Sequence, residues 1–538
     1  AVLRGATLSE AVLTRATLRR AILTRATLTE AALLKTDLTG ADFYEATLDE
    51  ATLTDAVLDQ TNLVDVDLST TNADEFDTAR PIRRDSLDPD TDLSNVSLPG
   101  VDLSGTDLSG SDLSGSTLTG ATLTDCDLSD ADLSGATLQE ADLTDTTLVG
   151  ADIVDADLSE ADMTSVTLSK ADLSDTDLSN VTLSEANLSE VTLSNADLTE
   201  ATLSNADLSE ASLPNADLTD ADLSEADLSE AVLPSTTLGK SVLEGANLTE
   251  ADLHGSDLSG ADCAGAQFTN ASLSAVDCSE ASLTEATLTD ANLSGGTLES
   301  VMLSDASLST ATLVDVDLAG ADLTGVDLSG ADLTEATLTE TTLTGADLTE
   351  ASLAEAELSN ADLSKAELSG AELSEVDGSQ ATLDAANLSE ASLADVDFSE
   401  ASLTDTDFSE ASFPGATLND TVLSGATLSN ADGPNCTLTS ATLDGATLSC
   451  GDFSEADISK ADLSEADLSE ATLVDADLTS ADLSEADLSE ATLVDADLSE
   501  AAVDGTDFTG ACLLRTAREG IDLSAAEPSV GTVERDHL

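Results

Sequence analysis

Tryptophan is absent from these 538 residues, and one tyrosine with eight phenylalanines brings the aromatic share to only 2%. A large core built on ring packing is therefore excluded. Histidine occurs twice, at His254 and His537, so nucleophile–histidine–carboxylate catalysis has almost nothing to use as its base. Basic residues number 16 against 109 acidic ones, a formal charge of −93. Direct binding to nucleic acid or to an anionic membrane surface is repelled by such a polyanion. The six cysteines include no CxxC pair, which supports neither a zinc site nor a disulfide framework. No apolar run approaches the roughly 18 residues of a membrane span, and no cofactor signature occurs. Yet hydrophobic residues make up 41%, too many for a chain that stays unfolded.

What is present is a repeat. Leucine, or a substitute for it, recurs every five residues from Leu3 to Leu68 and again from Leu93 to Leu513. The centres give 14 repeats in the first run and 85 in the second. The consensus is seen cleanly in Ala461-Asp462-Leu463-Ser464-Glu465. A period of five suits neither regular element. On an α-helix the leucines would spiral around the axis, and on a flat strand they would alternate between faces. Within one repeat, however, Ala and Leu are two apart and share a face while Asp points away. A bend in the remaining residues aims the next Ala-Leu pair inward, and the result is a β-solenoid.

The number of sides follows from longer correlations. Residues 461–480 and 481–500 differ only at Thr479/Ser499 and Ser480/Glu500, which points to a 20-residue unit and a square cross-section. Gly433 stands where a centre should be, and the centres 20 residues either side are Phe413 and Phe453. Gly378 likewise has Phe398 20 residues on. A large side chain next to an absent one conserves interior volume, so Gly433 is expected between Phe413 and Phe453 in one internal column.

These residues resemble the pentapeptide-repeat proteins, whose motif is A(D/N)Lxx. The resemblance covers about 1–73 and 91–513. It implies an all-β, right-handed four-sided parallel β-helix, here of about 25 coils and, at the usual inter-strand spacing, roughly 120 Å long. It does not imply a particular function, because the repeat is scaffold. The expected organisation is an N-terminal repeat block over 1–73, an irregular loop or degenerate coil over 74–92, the main β-helix over 93–513 and a C-terminal cap or tail over 514–538. Ala1-Val2-Leu3 is already repeat, which reads as a fragment or a processed product.

The charge has two readings, which are compatible. Spread over such a rod, it amounts to about one charge per 1.3 Å, against about 1.7 Å of axis in B-DNA, and the family includes proteins that imitate duplex DNA and bind DNA gyrase. Stacked aspartates also repel strongly unless salt screens them to a few ångströms, so adaptation to multimolar salt explains the same acidity. The four lysines between residues 85 and 514, namely Lys170, Lys240, Lys365 and Lys460, all fall on the outward second position after a centre.

Distinctive chemistry is expected where the repeat fails. Segment 74–92 holds Arg80, Arg83 and Arg84, a basic cluster in acidic surroundings, and its two prolines favour a loop. By analogy with projecting loops in the gyrase-binding relatives, these arginines are the candidate partner contacts. The alternative is an insertion whose arginines pair with nearby carboxylates. Asp88, Asp90 and Asp92 make the D-x-D-x-D opening of many calcium loops, but Leu93 and Pro99 stand where that motif needs Gly and Glu, so a solvated run into the next repeat is favoured. Arg4, Arg15, Arg19, Arg20, Arg25 and Lys35 concentrate positive charge near the N-terminus, with Arg15 and Lys35 expected to stack on one corner. They serve either local charge balance or an acidic partner.

Cys126 and Cys436 replace the inward Ala, Cys263 and Cys278 the inward Leu, and Cys450 and Cys512 point outward. The first four read as small buried hydrophobes, which fits a reducing, cytoplasmic compartment. With Ala and Leu filling the interior, no apolar pocket is left for a substrate, so an enzyme is not expected. The leading expectation is a non-catalytic scaffold, a rigid acidic rod that binds an unidentified protein. A DNA mimic of a type II topoisomerase such as DNA gyrase is the alternative, and a surface or matrix protein a second one.

Overall fold

The computed structural model describes residues 1–58, 60–64, 66–68, 70–71 and 87–521. The chain forms two compact units, Ala1–Asp252 and Leu253–Leu538. Both are built from the same coil.

Each pentapeptide contributes one extended residue and one turn. The extended residue is the one before the centre, and it pairs in parallel with the residue 20 further along. In the first unit the pairs run from Val2↔Ile22 to Asp42↔Asn62 and from Asp92↔Asp112 to Val232↔Asp252. In the second they run from Asp257↔Asp277 to Asp497↔Ala517. Twenty residues per coil at five residues per side give four sides. Among the described residues there is no helix.

Hydrogen-bond accounting explains why the coil closes. In the pentapeptide Ser111–Gly115, the Asp112 amide donates to the Thr91 carbonyl of one neighbouring coil (3.0 Å) and the Leu113 amide to Asp132 of the other (2.7 Å). The Gly115 amide donates to Ser134 (2.8 Å), and the next residue, Ser116, closes the turn onto the Leu113 carbonyl (3.0 Å). The N–H of the residue after the centre, here Ser114, has no backbone acceptor among the described residues. The corner residue adopts a left-handed conformation, with φ of 56° at Glu200 and 62° at Lys170. A positive φ at the third turn position alone is the sign pattern of a type II turn. Asn, Asp and Gly tolerate it most easily.

The inward pair fills the interior. Ala201 and Leu203 are 1% and 0% exposed, and the same holds along both units. Each fully buried Leu contributes about 1.5–3 kcal/mol relative to exposure, and because a coil touches only its neighbours the terms add along the stack. Where Thr replaces the inward Ala its hydroxyl finds a carbonyl, as Thr176 does at Ile153 (2.9 Å). Gly433 and Gly378 have no room for a side chain: a Cβ on Gly433 would overlap the Phe413 ring, and one on Gly378 the Phe398 ring. Gly451 is constrained in the same way by Phe453, whose Cε2 lies 2.6 Å from where its Cβ would stand.

One side of the N-terminal coils departs from the wet exterior that the repeat dictates. Thr24, Asp42, Tyr44, Asn62 and Val64 occupy outward positions yet are buried. This side is turned towards residues 95–117, with which it encloses two clefts.

Candidate interaction surfaces

The Asp of the motif supplies what the backbone lacks. Asp132 Oδ1 accepts the orphan amide of Ser134 (2.9 Å) and also its hydroxyl (2.6 Å). The same pair of bonds recurs at Asp207 with Ser209 and at Asp332 with Thr334. These are Asx turns with an added hydroxyl bond. At Asp107 and Asp497 the hydroxyl and amide of Ser109 and Ser499 hold the carboxyl below its usual range. Asn187 makes the same two bonds to Ser189, at 3.0 and 2.7 Å. Asn thus caps the turn as well as Asp, and the coil also continues through Val232 and Met302, which offer no side-chain acceptor. The negative charge is an additional choice at each coil.

That choice builds columns of like charge. Asp92, Asp112, Asp132, Asp152 and Asp172 are paired one above the next. At a spacing of about 4.8 Å, adjacent unit charges repel by about 0.9 kcal/mol even in bulk water. On the corners Glu190, Glu210, Glu230 and Glu250 recur every 20 residues, and Lys170 sits at the end of that run with its Nζ 3.4 Å from Glu190. Asparagines relieve other columns, as Asn195 does by donating to Asp175 (3.0 Å) and Asn247 to Asp227 (2.9 Å).

The N-terminal coils differ. Arg19 lies 3.6 Å from Asp37, Lys35 3.5 Å from Asp55, and Arg25 pairs with Glu45. Arg15 and Lys35 are both corner residues with positive φ, one coil apart. Arg4, Arg15 and Arg20 form no ion pair among the described residues. Arg80, Arg83 and Arg84, the partner-contact candidates from the sequence, lie outside the described residues, as do His537 and most of segment 74–92. Of the acidic triplet, Asp90 is an ordinary corner (φ 61°). Asp92 is an ordinary turn cap, bonded to the amide and hydroxyl of Ser94, and Asp88 donates its amide to Thr91. Among the described residues no three His, Cys, Asp or Glu are gathered as a metal set. Nor is any helix there long and apolar enough to cross a membrane.

All six cysteines are free thiols, with Cys126, Cys263, Cys278 and Cys436 buried and Cys450 exposed. Burial pushes the Cys278 and Cys436 thiols up to about 12 and that of Cys263 well above its usual value. His254 faces outward and its Nδ1 is 2.9 Å from the Ser274 hydroxyl.

A four-sided parallel β-solenoid with a dry aliphatic interior and a mostly polar, strongly acidic exterior defines a repeat-scaffold protein. The chain belongs to the pentapeptide-repeat family, whose model matches fifteen segments, from 1–33 and 36–72 through 90–125 to 471–510. No curated protein matches it. Among solved structures it is similar to QnrB1, a plasmid-mediated fluoroquinolone resistance protein, in trypsin-treated form. There the identity is 16%, with 43% of this chain and 89% of that one covered, at a TM-score of 0.24. It is also similar to HetL of the cyanobacterium Nostoc sp. strain PCC 7120, a protein of heterocyst differentiation regulation. That match has 28% identity, covers 51% of this chain and 89% of that one, and has a TM-score of 0.16. Rfr23 of Cyanothece matches at 31% identity over 19% of this chain and 63% of its own, with a TM-score of 0.14.

Proposed function

We propose that the protein is a non-catalytic interaction scaffold, a right-handed β-helical stack of about 25 coils that presents carboxylates at a fixed pitch to a protein partner in concentrated salt. One observation carries this reading. The aliphatic interior packs without charge, and the turn cap that accepts the remaining backbone N–H can be Asn as well as Asp, so the charge is surplus to folding. A surplus negative charge on nearly every coil serves solvation, a cationic partner surface, or both. The test is capture of cross-linked partners at multimolar KCl by the wild type and by a variant with Asp112, Asp132 and Asp152 changed to Asn. A partner lost by the variant supports the reading, and a partner set unchanged by it sinks the role of that column. Four buried free thiols support a reducing, cytoplasmic setting.

The stacked columns also favour a second reading, imitation of duplex DNA at a type II topoisomerase. Supercoiling by a salt-tolerant gyrase, titrated with the protein and with poly-glutamate of similar charge, decides it. Inhibition no stronger than that of poly-glutamate would end this reading.

A further inference from the structure

The side of the N-terminal coils turned towards residues 95–117 does not meet them flush. A cleft of about 840 Å³ remains, lined on one wall by Arg19, Arg20 and Gln60 and on the other by Asn95, Ser97 and Thr117. A smaller cleft of about 240 Å³ has Arg4 and Arg25 on one wall and Pro99 and Gly100 on the other. Two arginine-lined clefts in a chain of charge −93 call for an explanation.

Clamping the coils together is the first candidate, and the facing wall argues against it. A clamp would set carboxylates opposite the arginines. Ser97 and Thr117 instead stand at the extended position, which elsewhere carries Asp or Thr, and Asn95 and Gly115 at corners that elsewhere carry Asp, Glu, Gly or Asn, so none of the four brings a carboxylate. Among the described residues the one carboxylate lining the larger cleft, Asp42, is 1% exposed and already accepts from the Thr24 hydroxyl, the Tyr44 amide and the Asn62 side chain. Arg20, whose chain lies over Gly40, pairs with no acid among the described residues, and Arg19 reaches Asp37 only through Nε at 3.6 Å. The described lining of the cleft is thus rich in donors and short of negative charge.

We propose that this cleft binds a compact multivalent oxyanion, of the phosphate or polycarboxylate class, between Arg19 and Arg20 on one wall and the hydroxyls and amide of Asn95, Ser97 and Thr117 on the other. Guanidinium groups suit such ligands because their fork of donors matches two oxygens at once. Multivalency is required, since chloride at the molar level competes for each single charge. Molar salt also shrinks the reach of the surrounding negative field to about 3 Å, so the local arginines dominate within the cleft. The volume falls in the range of small-ligand sites, about 300–1,000 Å³.

The experiment is calorimetric titration of the full chain with pyrophosphate and, separately, with citrate at fixed molar KCl. Saturable one-to-one binding of either is expected, weakened at least about tenfold by Arg20→Gln, retained by Arg20→Lys, and unchanged by Arg515→Gln, which lies far along the sequence. Ser97→Asp restores the motif residue and so should fold, yet it places a carboxylate in the mouth of the cleft and should abolish binding. No saturable heat with either anion, or binding that survives Ser97→Asp, would overturn the proposal.

Discussion

Phe413 occupies the interior space that Gly433 leaves empty and meets Phe453 beyond it, with ring centroids 6.2 Å apart and planes tilted by 50°. The glycine and the phenylalanine are one packing unit. Restoring the consensus as Gly433→Leu should force the ring aside and destabilise by about 1–3 kcal/mol. Phe413→Leu alone should also destabilise, since leucine cannot refill the space beside Gly433. The double variant should recover most of both losses. Urea denaturation of the four proteins at constant KCl measures the coupling, and additive losses would refute the unit.

Asp132 separates the two roles of the motif acid. Asp132→Ala removes the acceptor of the Ser134 amide and should cost about 0.5–1.5 kcal/mol at multimolar KCl, and less in dilute salt, where losing the charge also relieves repulsion from Asp112 and Asp152. Asp132→Asn keeps the acceptor and removes repulsion from Asp112 and Asp152. It should stabilise in dilute salt and become neutral at multimolar KCl, where screening is nearly complete. Midpoints of denaturation across a KCl series distinguish the two.

The turn caps also predict a pH response. Asp107, Asp322 and Asp497 are held below the usual carboxylate range by hydroxyls and amides of Ser109, Thr324 and Ser499. A depressed folded value means that the stabilisation is complete above the unfolded value, about 3.9, and is lost as pH falls through the folded one. In multimolar KCl, stability should therefore fall below about pH 4. Asp42 runs the other way: burial raises its carboxyl despite hydrogen bonds from Tyr44, Thr24 and Asn62. Its ionisation opposes folding as pH rises, so Asp42→Asn should match or exceed the wild type at neutral pH. Denaturation midpoints from neutral to acid pH provide the check.

Thiol labelling tests the interior. Cys450 is exposed and should react with a disulfide reagent in the native protein. Cys126, Cys263, Cys278 and Cys436 are buried, and a thiol raised to about 12, as at Cys278 and Cys436, carries almost no thiolate at neutral pH. These four should react only after denaturation. Peptide mapping of the labelled sites would show any early reaction among them.

The coil was legible because its signal is strong and local. Leu every five residues, with Ala two before it, leaves one way to keep both inside. The duplication of 461–480 in 481–500 points to the 20-residue coil, and the pairing of Asp462 with Asp482 is that coil in space. The turn cap was less legible. In a chain this acidic, Asp before Leu reads first as solvation, and its bond to the residue two further on is hidden by the abundance of Ser and Thr. The recurrence of Asn with Ser, as at Asn187-Leu188-Ser189, was the available clue, since Asn adds no charge. The buried side of the N-terminal coils also had a sequence signal, in Tyr44 and Val64 at positions where the motif places polar residues. It went unread because single apolar residues on a surface are commonplace, and only their alignment one coil apart makes a stripe.

The 20-residue coil has a consequence for how such a chain can change length. Inserting or deleting one whole coil leaves every later residue on its own side and under its own neighbour, so growth and loss by that quantum are structurally silent. A change of five residues keeps the inward pattern but turns everything after it by a quarter of a revolution, moving each acidic column to a different face. The near-identical segments 461–480 and 481–500 have the form of one such silent step, a tract that lengthened while the surface it displays kept its bearing.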